Sequence, residues 1–227
     1  MTDTLEDLRA LIPQLGPATE RRALGERLTS LSATQREAPA EFERLDAVLD
    51  LAVLMEFPGG ELLEELEDAA AALASGLRSA QTPDQLRTAQ DLYGAFQKAM
   101  TRMVAQLASH WRIIVVRDFK PLIGFGELLA RVDSLADLGE RMQACGRDAM
   151  ESVGPARPQD LRTTVTRLRV RAEGLQAERA EKLGAVPGVG AFLSAIGAQN
   201  ATLADVSKDV LDWLAKNGGL ERFRVST

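Results

Sequence analysis

Apolar residues recur at intervals of three and four along most of this chain, the period of a helix that buries one side. Three such helices are predicted in the first 56 residues. They are carried by Leu5, Leu8, Leu11 and Ile12, by Leu24, Leu28 and Leu31, and by Phe42, Leu45, Leu49 and Ala52, with breaks at Gly16-Pro17 and Pro39. FPGG at 57–60 ends the third. ELLEELEDAAAALASGL then opens a fourth with acidic residues in its first turn, where the helix dipole favours negative charge, and a helical hairpin follows.

The sharpest local signal is TPDQ at 82–85. Thr82 is an N-cap, Pro83 suits the first helical position and Gln85 closes a capping box. From there Leu86, Ala89, Leu92, Tyr93, Phe96, Met100, Met103, Val104, Leu107, Trp111, Ile114 and Val115 share one side, with Lys98 and Arg102 opposite. The helix should run roughly 30 residues, about 45 Å. IIVV at 113–116 keeps the helical phase and is read as helix rather than strand. Asp118 falls inside the apolar stripe, so an end or a bend is expected there, in agreement with Pro121.

Beyond it, Leu128, Leu129, Val132, Leu135, Leu138 and Met142 mark another amphipathic stretch, and GPARPQD at 154–160 reads as a connection. Leu161, Val165, Leu168, Ala172 and Leu175 alternate steps of four and three, the spacing of a coiled-coil seam. It spans little more than two heptads, which suits a helix within a bundle. In the tail, Val206, Val210, Leu211 and Leu214 give TLADVSKDVLDWLAKNGG an apolar side, with Thr202 as a candidate cap and Asn217-Gly218 as the stop. LERFRVST alternates Phe223 and Val225 with Arg222 and Arg224, the pattern of a short strand.

These patterns predict an all-α protein: an elongated helical bundle of antiparallel hairpins with one long central helix, plus a small C-terminal helical module ending in a short strand. The expected division is 1–184 for the bundle, with acidic hairpins over 1–81 and long helices over 82–184, and 185–227 for the C-terminal module.

Composition supports helices. Aromatic residues make up only 4% of the 227 residues, so the core must be built from aliphatic seams. Cys145 is the only cysteine, which excludes an internal disulfide and points to a reducing cytoplasm. The acidic N-terminus MTDTLEDLRA lacks the apolar region of a secretion signal, and no run approaches the length of a membrane span. The net charge of −6 is unevenly spread. Residues 1–81 hold seven Lys/Arg against sixteen Asp/Glu, whereas 82–227 hold twenty against seventeen. Only the later part is suited to meet nucleic acid.

Candidate chemistry is sparse. A single histidine, His110, cannot assemble a His-based metal site or a triad. Cys145 has Arg141 and Arg147 nearby but no histidine base, and reads as a small buried residue. Glu64 and Asp68 share a helix face without the partners of a bundle metal site. No catalytic residue, cofactor or metal is therefore expected, and no small-molecule substrate is evident.

Two groups could contact phosphates or an acidic partner. Arg162, Arg167, Arg169 and Arg171 are uninterrupted by acids, but they project onto both flanks of the leucine seam, where pairing with acids of neighbouring helices competes. The second group lies in LGAVPGVGAFLSAIG. Its Leu183, Val186, Pro187, Gly188, Val189, Gly190 and Ile196 resemble a helix-hairpin-helix DNA-binding motif over about fifteen residues. That resemblance implies backbone N–H groups at Gly188 and Gly190 approaching a phosphate. The residues themselves favour a buried, glycine-adjusted corner between helices, because apolar Ala191, Phe192 and Leu193 follow the hairpin where polar or basic side chains would meet a phosphate. Residues 191–225 also look faintly like a winged helix, with Arg222 and Arg224 on its terminal strand.

The expectation is a non-enzymatic interaction or scaffold subunit of a bacterial cytoplasmic multiprotein assembly, with a protein partner or self-association. The alternative is a DNA-associated accessory protein that uses the helix-hairpin-helix-like or winged-helix-like C-terminal module. No contact with a membrane is expected.

Overall fold

The computed structural model describes residues 40–79, 82–154, 156–184, 188–197 and 206–222. The two helices expected before residue 39, Thr202 and Arg224 lie outside them. The described residues are all-α, with no strand among them: α1 (40–54), α2 (Gly60–Ser79), α3 (Pro83–Ile114), a π-helical turn (Val115–Phe119), α4 (Lys120–Leu129), a 3-10 turn (Asp133–Leu135), α5 (Ala136–Glu151), α6 (Pro158–Gly184), α7 (Val189–Gly197), α8 (Lys208–Lys216) and a 3-10 turn (Leu220–Arg222). No helix among them is long and apolar enough to cross a membrane. The chain divides into two compact units, Met1–Leu107 and Ala108–Thr227, and the boundary falls inside α3. The division expected at 184/185 adjoins residues 185–187, which are not described.

In the first unit the expected stripe of α3 is buried at its centre, whereas the buried side of α1 is shifted from the expected Phe42, Leu45, Leu49 and Ala52, with Phe42 and Leu49 only half-buried. Leu45, Val48, Leu51 and Met55 of α1 and its end are inside, as are Leu66, Ala70 and Leu73 of α2 and Phe96, Met100, Met103 and Leu107 of α3. The Phe42 and Phe96 rings lie 6.4 Å apart. Across α2 and α3, Arg102 Nη1 donates to both carboxylate oxygens of Glu65, at 2.9 and 2.6 Å.

The end of α1 differs from the simplest reading of FPGG. The left-handed residue is Glu56 (φ 51°), not a glycine, and Phe57 N–H closes the helix by donating to Ala52 C=O at 2.9 Å. At the start of α3 the predicted capping box is formed reciprocally. Thr82 N–H donates to Gln85 Oε1 (3.0 Å) and Gln85 N–H to Thr82 Oγ1 (3.4 Å). At 32 residues, α3 has the length its stripe predicts.

In the second unit the helix continues past Ile114 as a π turn, with Lys120 N–H donating to Val115 C=O. Pro121 explains it. Proline has no N–H and its ring collides with the carbonyl four residues earlier, and an i→i+5 turn relieves both faults by inserting a residue. The inserted residue also rephases the helix. Val115, Phe119 and Leu122 point inward while Asp118, expected in mid-stripe, is exposed.

α4 and α5 form a hairpin whose backbones nearly touch. A methyl at Gly139 would sit 2.5 Å from both Ala130 N and Gly126 O, and one at Gly146 would sit 2.6 Å from Ile123 Cγ1. α6 packs on α5 through the predicted seam, with Leu161, Val165, Leu168, Ala172 and Leu175 buried against the side of α5 that holds Leu138, Met142 and Cys145. Trp111 closes the end of this core. Its indole N–H donates to Ser152 Oγ (3.0 Å), whose hydroxyl donates to Ala149 C=O (2.7 Å), and its ring meets Phe119 edge-on at 5.6 Å.

The C-terminal helices belong to the same core. α7 packs on α4 and α6, and α8 on α7. Ser207 caps α8 by accepting from Val210 N–H. The predicted stop at Asn217-Gly218 is present, with Gly218 at φ 75° and Gly219 N–H donating to Leu214 C=O at 2.9 Å. Where the alternation predicted a strand to begin, Leu220–Arg222 form a 3-10 turn, and Arg222 is held by Asp133 at 2.6 Å.

Candidate docking groove

One surface feature of the second unit adjoins the π turn. Between that turn, α4, α6 and α7 lies an open groove of about 920 Å³. Val116, Lys120, Ile123 and Phe125 come from one wall, Gln176 and Arg179 from α6, and Ser194 from α7. The Arg179 guanidinium lies over the Phe125 ring, 5.0 Å from its centroid. Val116, in the groove wall, is 52% exposed, and Ile113, one turn earlier on α3, is 61% exposed.

Charges around it are arranged in pairs. Arg117 grips the adjacent Asp118 with two hydrogen bonds, Nε to Oδ1 at 2.6 Å and Nη2 to Oδ2 at 2.7 Å. Those bonds hold the Asp118 carboxyl below the usual carboxylate range against the opposing effect of burial, and Arg117 and Arg169 add favourable charge. Lys120 and Arg179 add further positive charge, and Glu127 also lies on the wall. Further along α6, Glu178 Oε1 accepts from Arg141 (2.8 Å) and lies 3.0 Å from Lys182 Nζ, which lowers its carboxyl to about 2.

The residues singled out in the sequence are dispersed. Arg171 Nη1 donates to Asp148 Oδ2 at 2.6 Å, and Arg222 pairs with Asp133, so both serve contacts inside the unit. Arg162 and Arg167 are exposed on opposite flanks of α6, and half-buried Arg169 faces Asp118. Gly188, at φ 89°, precedes α7 and accepts from Phe192 N–H at 2.9 Å, while Gly190 lies in its first turn. The helix that follows turns Val189, Phe192 and Leu193 into the core. Arg224 lies outside the described residues.

Arg117, Lys120, Phe125 and Arg179 were not singled out from the sequence. The available signal was the conflict between Asp118 in an apolar stripe and Pro121 just beyond it, which marks where the helix is rebuilt. Among the described residues, no group of three or more His, Cys, Asp or Glu is placed to hold a metal ion. Cys145 is fully buried, and desolvation pushes its thiol up, opposite to what a nucleophile needs. No family model, curated protein or solved structure matches the chain.

Proposed function

We propose that this protein is a non-enzymatic helical interaction subunit of a bacterial cytoplasmic assembly. The observation that carries the reading is the exposed apolar pair Ile113 and Val116, one helical turn apart, of which Val116 joins Ile123 and Phe125 in the wall of an open groove. Contiguous exposed apolar surface rimmed by charge marks protein interaction sites, and a groove between helices suits an amphipathic segment.

The test is affinity capture from the native host, with and without nuclease, using the wild-type chain and an Ile113→Asp/Val116→Asp variant. A defined protein that survives nuclease and is lost with the variant supports the reading. Nucleic acid in the eluate, with partners lost on digestion, would replace it with the DNA-associated alternative and return attention to Arg162, Arg167 and Arg169. Capture unaffected by the variant would remove the groove from the reading.

A further inference from the structure

We infer that the groove receives the outward acidic face of α2 from a second copy of this chain, so that copies associate head to tail. The inference rests on the interaction-subunit reading and names the partner. Its first support is the division of charge. Residues 1–107 carry ten Lys/Arg against eighteen Asp/Glu, net −8, and residues 108–227 carry seventeen against fifteen, net +2. The two units are therefore of opposite sign.

The second support is the face that α2 leaves outside. Leu66, Ala70 and Leu73 point into its own unit. Projected at 100° per residue, Glu61, Glu64 and Asp68 fall on the opposite side, continued by Ala71, Ala72 and Ser75, and all six are exposed. The three carboxylates span eight positions, about 10 Å of helix. The small residues after them leave nothing to hold another surface away.

The groove offers the complementary features. Arg117 is paired with Asp118, which leaves Lys120 and Arg179 against Glu127 along the wall. Ile123 and Phe125 supply apolar wall beside the cations. A nucleic-acid backbone, charged along its whole length, would press phosphates against the apolar wall of Ile123 and Phe125. A helix carrying carboxylates at one end and alanines at the other meets both kinds of surface. Because different patches meet, the contact is heterologous and its electrostatic part weakens with salt.

Sedimentation velocity on the full chain at low salt, from low micromolar to a few hundred micromolar, tests this. Concentration-dependent association that fades as salt rises is expected. Arg179→Glu and Glu64→Arg should each weaken it about tenfold or more. Mixing the two variants should restore association, because each supplies the intact patch the other lacks. Lys120→Glu is a second groove variant, since Arg179 also stacks on Phe125. A monomer at every concentration, association indifferent to both reversals, or mixing without restoration would each overturn the inference. A monomeric result would leave capture of a different protein from the native host intact, so the two readings fail separately.

Discussion

Asp148 and Arg171 meet across the α5–α6 seam at 2.6 Å, and two turns away Arg141 meets Glu178 at 2.8 Å with the signs reversed. Both helices advance seven residues between the pairs, so one antiparallel register satisfies both. A slip by one heptad would bring Asp148 opposite Glu178 or Arg141 opposite Arg171. The pairs therefore discriminate between registers that the apolar seam alone would tolerate. Their net worth is modest, because all four side chains keep substantial contact with solvent. A double-mutant cycle on Asp148→Asn and Arg171→Gln should give a coupling of about 0.2–1 kcal/mol, reduced by added salt.

Acid should unfold the second unit partly through Glu178. Its carboxyl is held at about 2 by Arg141 and then Lys182, below its ordinary value of 4.5. A depressed carboxylate stabilises the fold above the unfolded pKa, and that contribution is lost as pH falls through the folded one. Thermal midpoints of wild type and Glu178→Gln should therefore differ at neutral pH and converge as pH is lowered from about 4.5 towards 2. A constant gap would show that Glu178 acts through packing instead.

Gly139 and Gly174 should respond in opposite directions to alanine. A methyl at Gly139 meets the backbone of α4 at Ala130 and Gly126, which cannot move without separating the hairpin, so a loss of about 1–3 kcal/mol or more is expected. Gly174 is mid-helix with nothing within 4 Å, and alanine there should stabilise by about 0.5–1 kcal/mol. Chemical denaturation of the two variants checks both signs.

Glu56 is the non-glycine residue with positive φ among those described, at the end of α1. Its Cβ crowds the following carbonyl at a cost of about 1–2 kcal/mol. Glu56→Gly should recover part of that and raise the denaturation midpoint, whereas Glu56→Val should lower it.

The capping box at α3 should contribute locally. Thr82→Ala leaves Gln85 N–H without its side-chain acceptor and should cost about 1 kcal/mol. Hydrogen exchange would report it as faster exchange confined to the first turn of α3.

Much of the fold was legible because helix period, caps and breakers act over a few residues. The long helix with its box at Thr82 and Gln85, the seam from Leu161 to Leu175, and the stop at Gly218 all follow from such local rules. The candidate site was not legible in the same way. Arg171 and Arg222 look like free cations in the chain, and only the packed structure places Asp148 and Asp133 within 2.6 Å of them.

Ion pairing and surface recognition depend on which residues from distant segments become neighbours. Arg117, Lys120 and Arg179 share a groove because Pro121 forces a π turn and α6 and α7 then pack beside α4. By itself the sequence determined that the chain would be helical and where several of its helices begin and end, since each choice is settled within one or two turns. The tertiary structure decided the phase shift at Asp118, the glycine-to-glycine approach of α4 and α5, and which charges remain on the surface, because those depend on contacts between segments far apart in the chain.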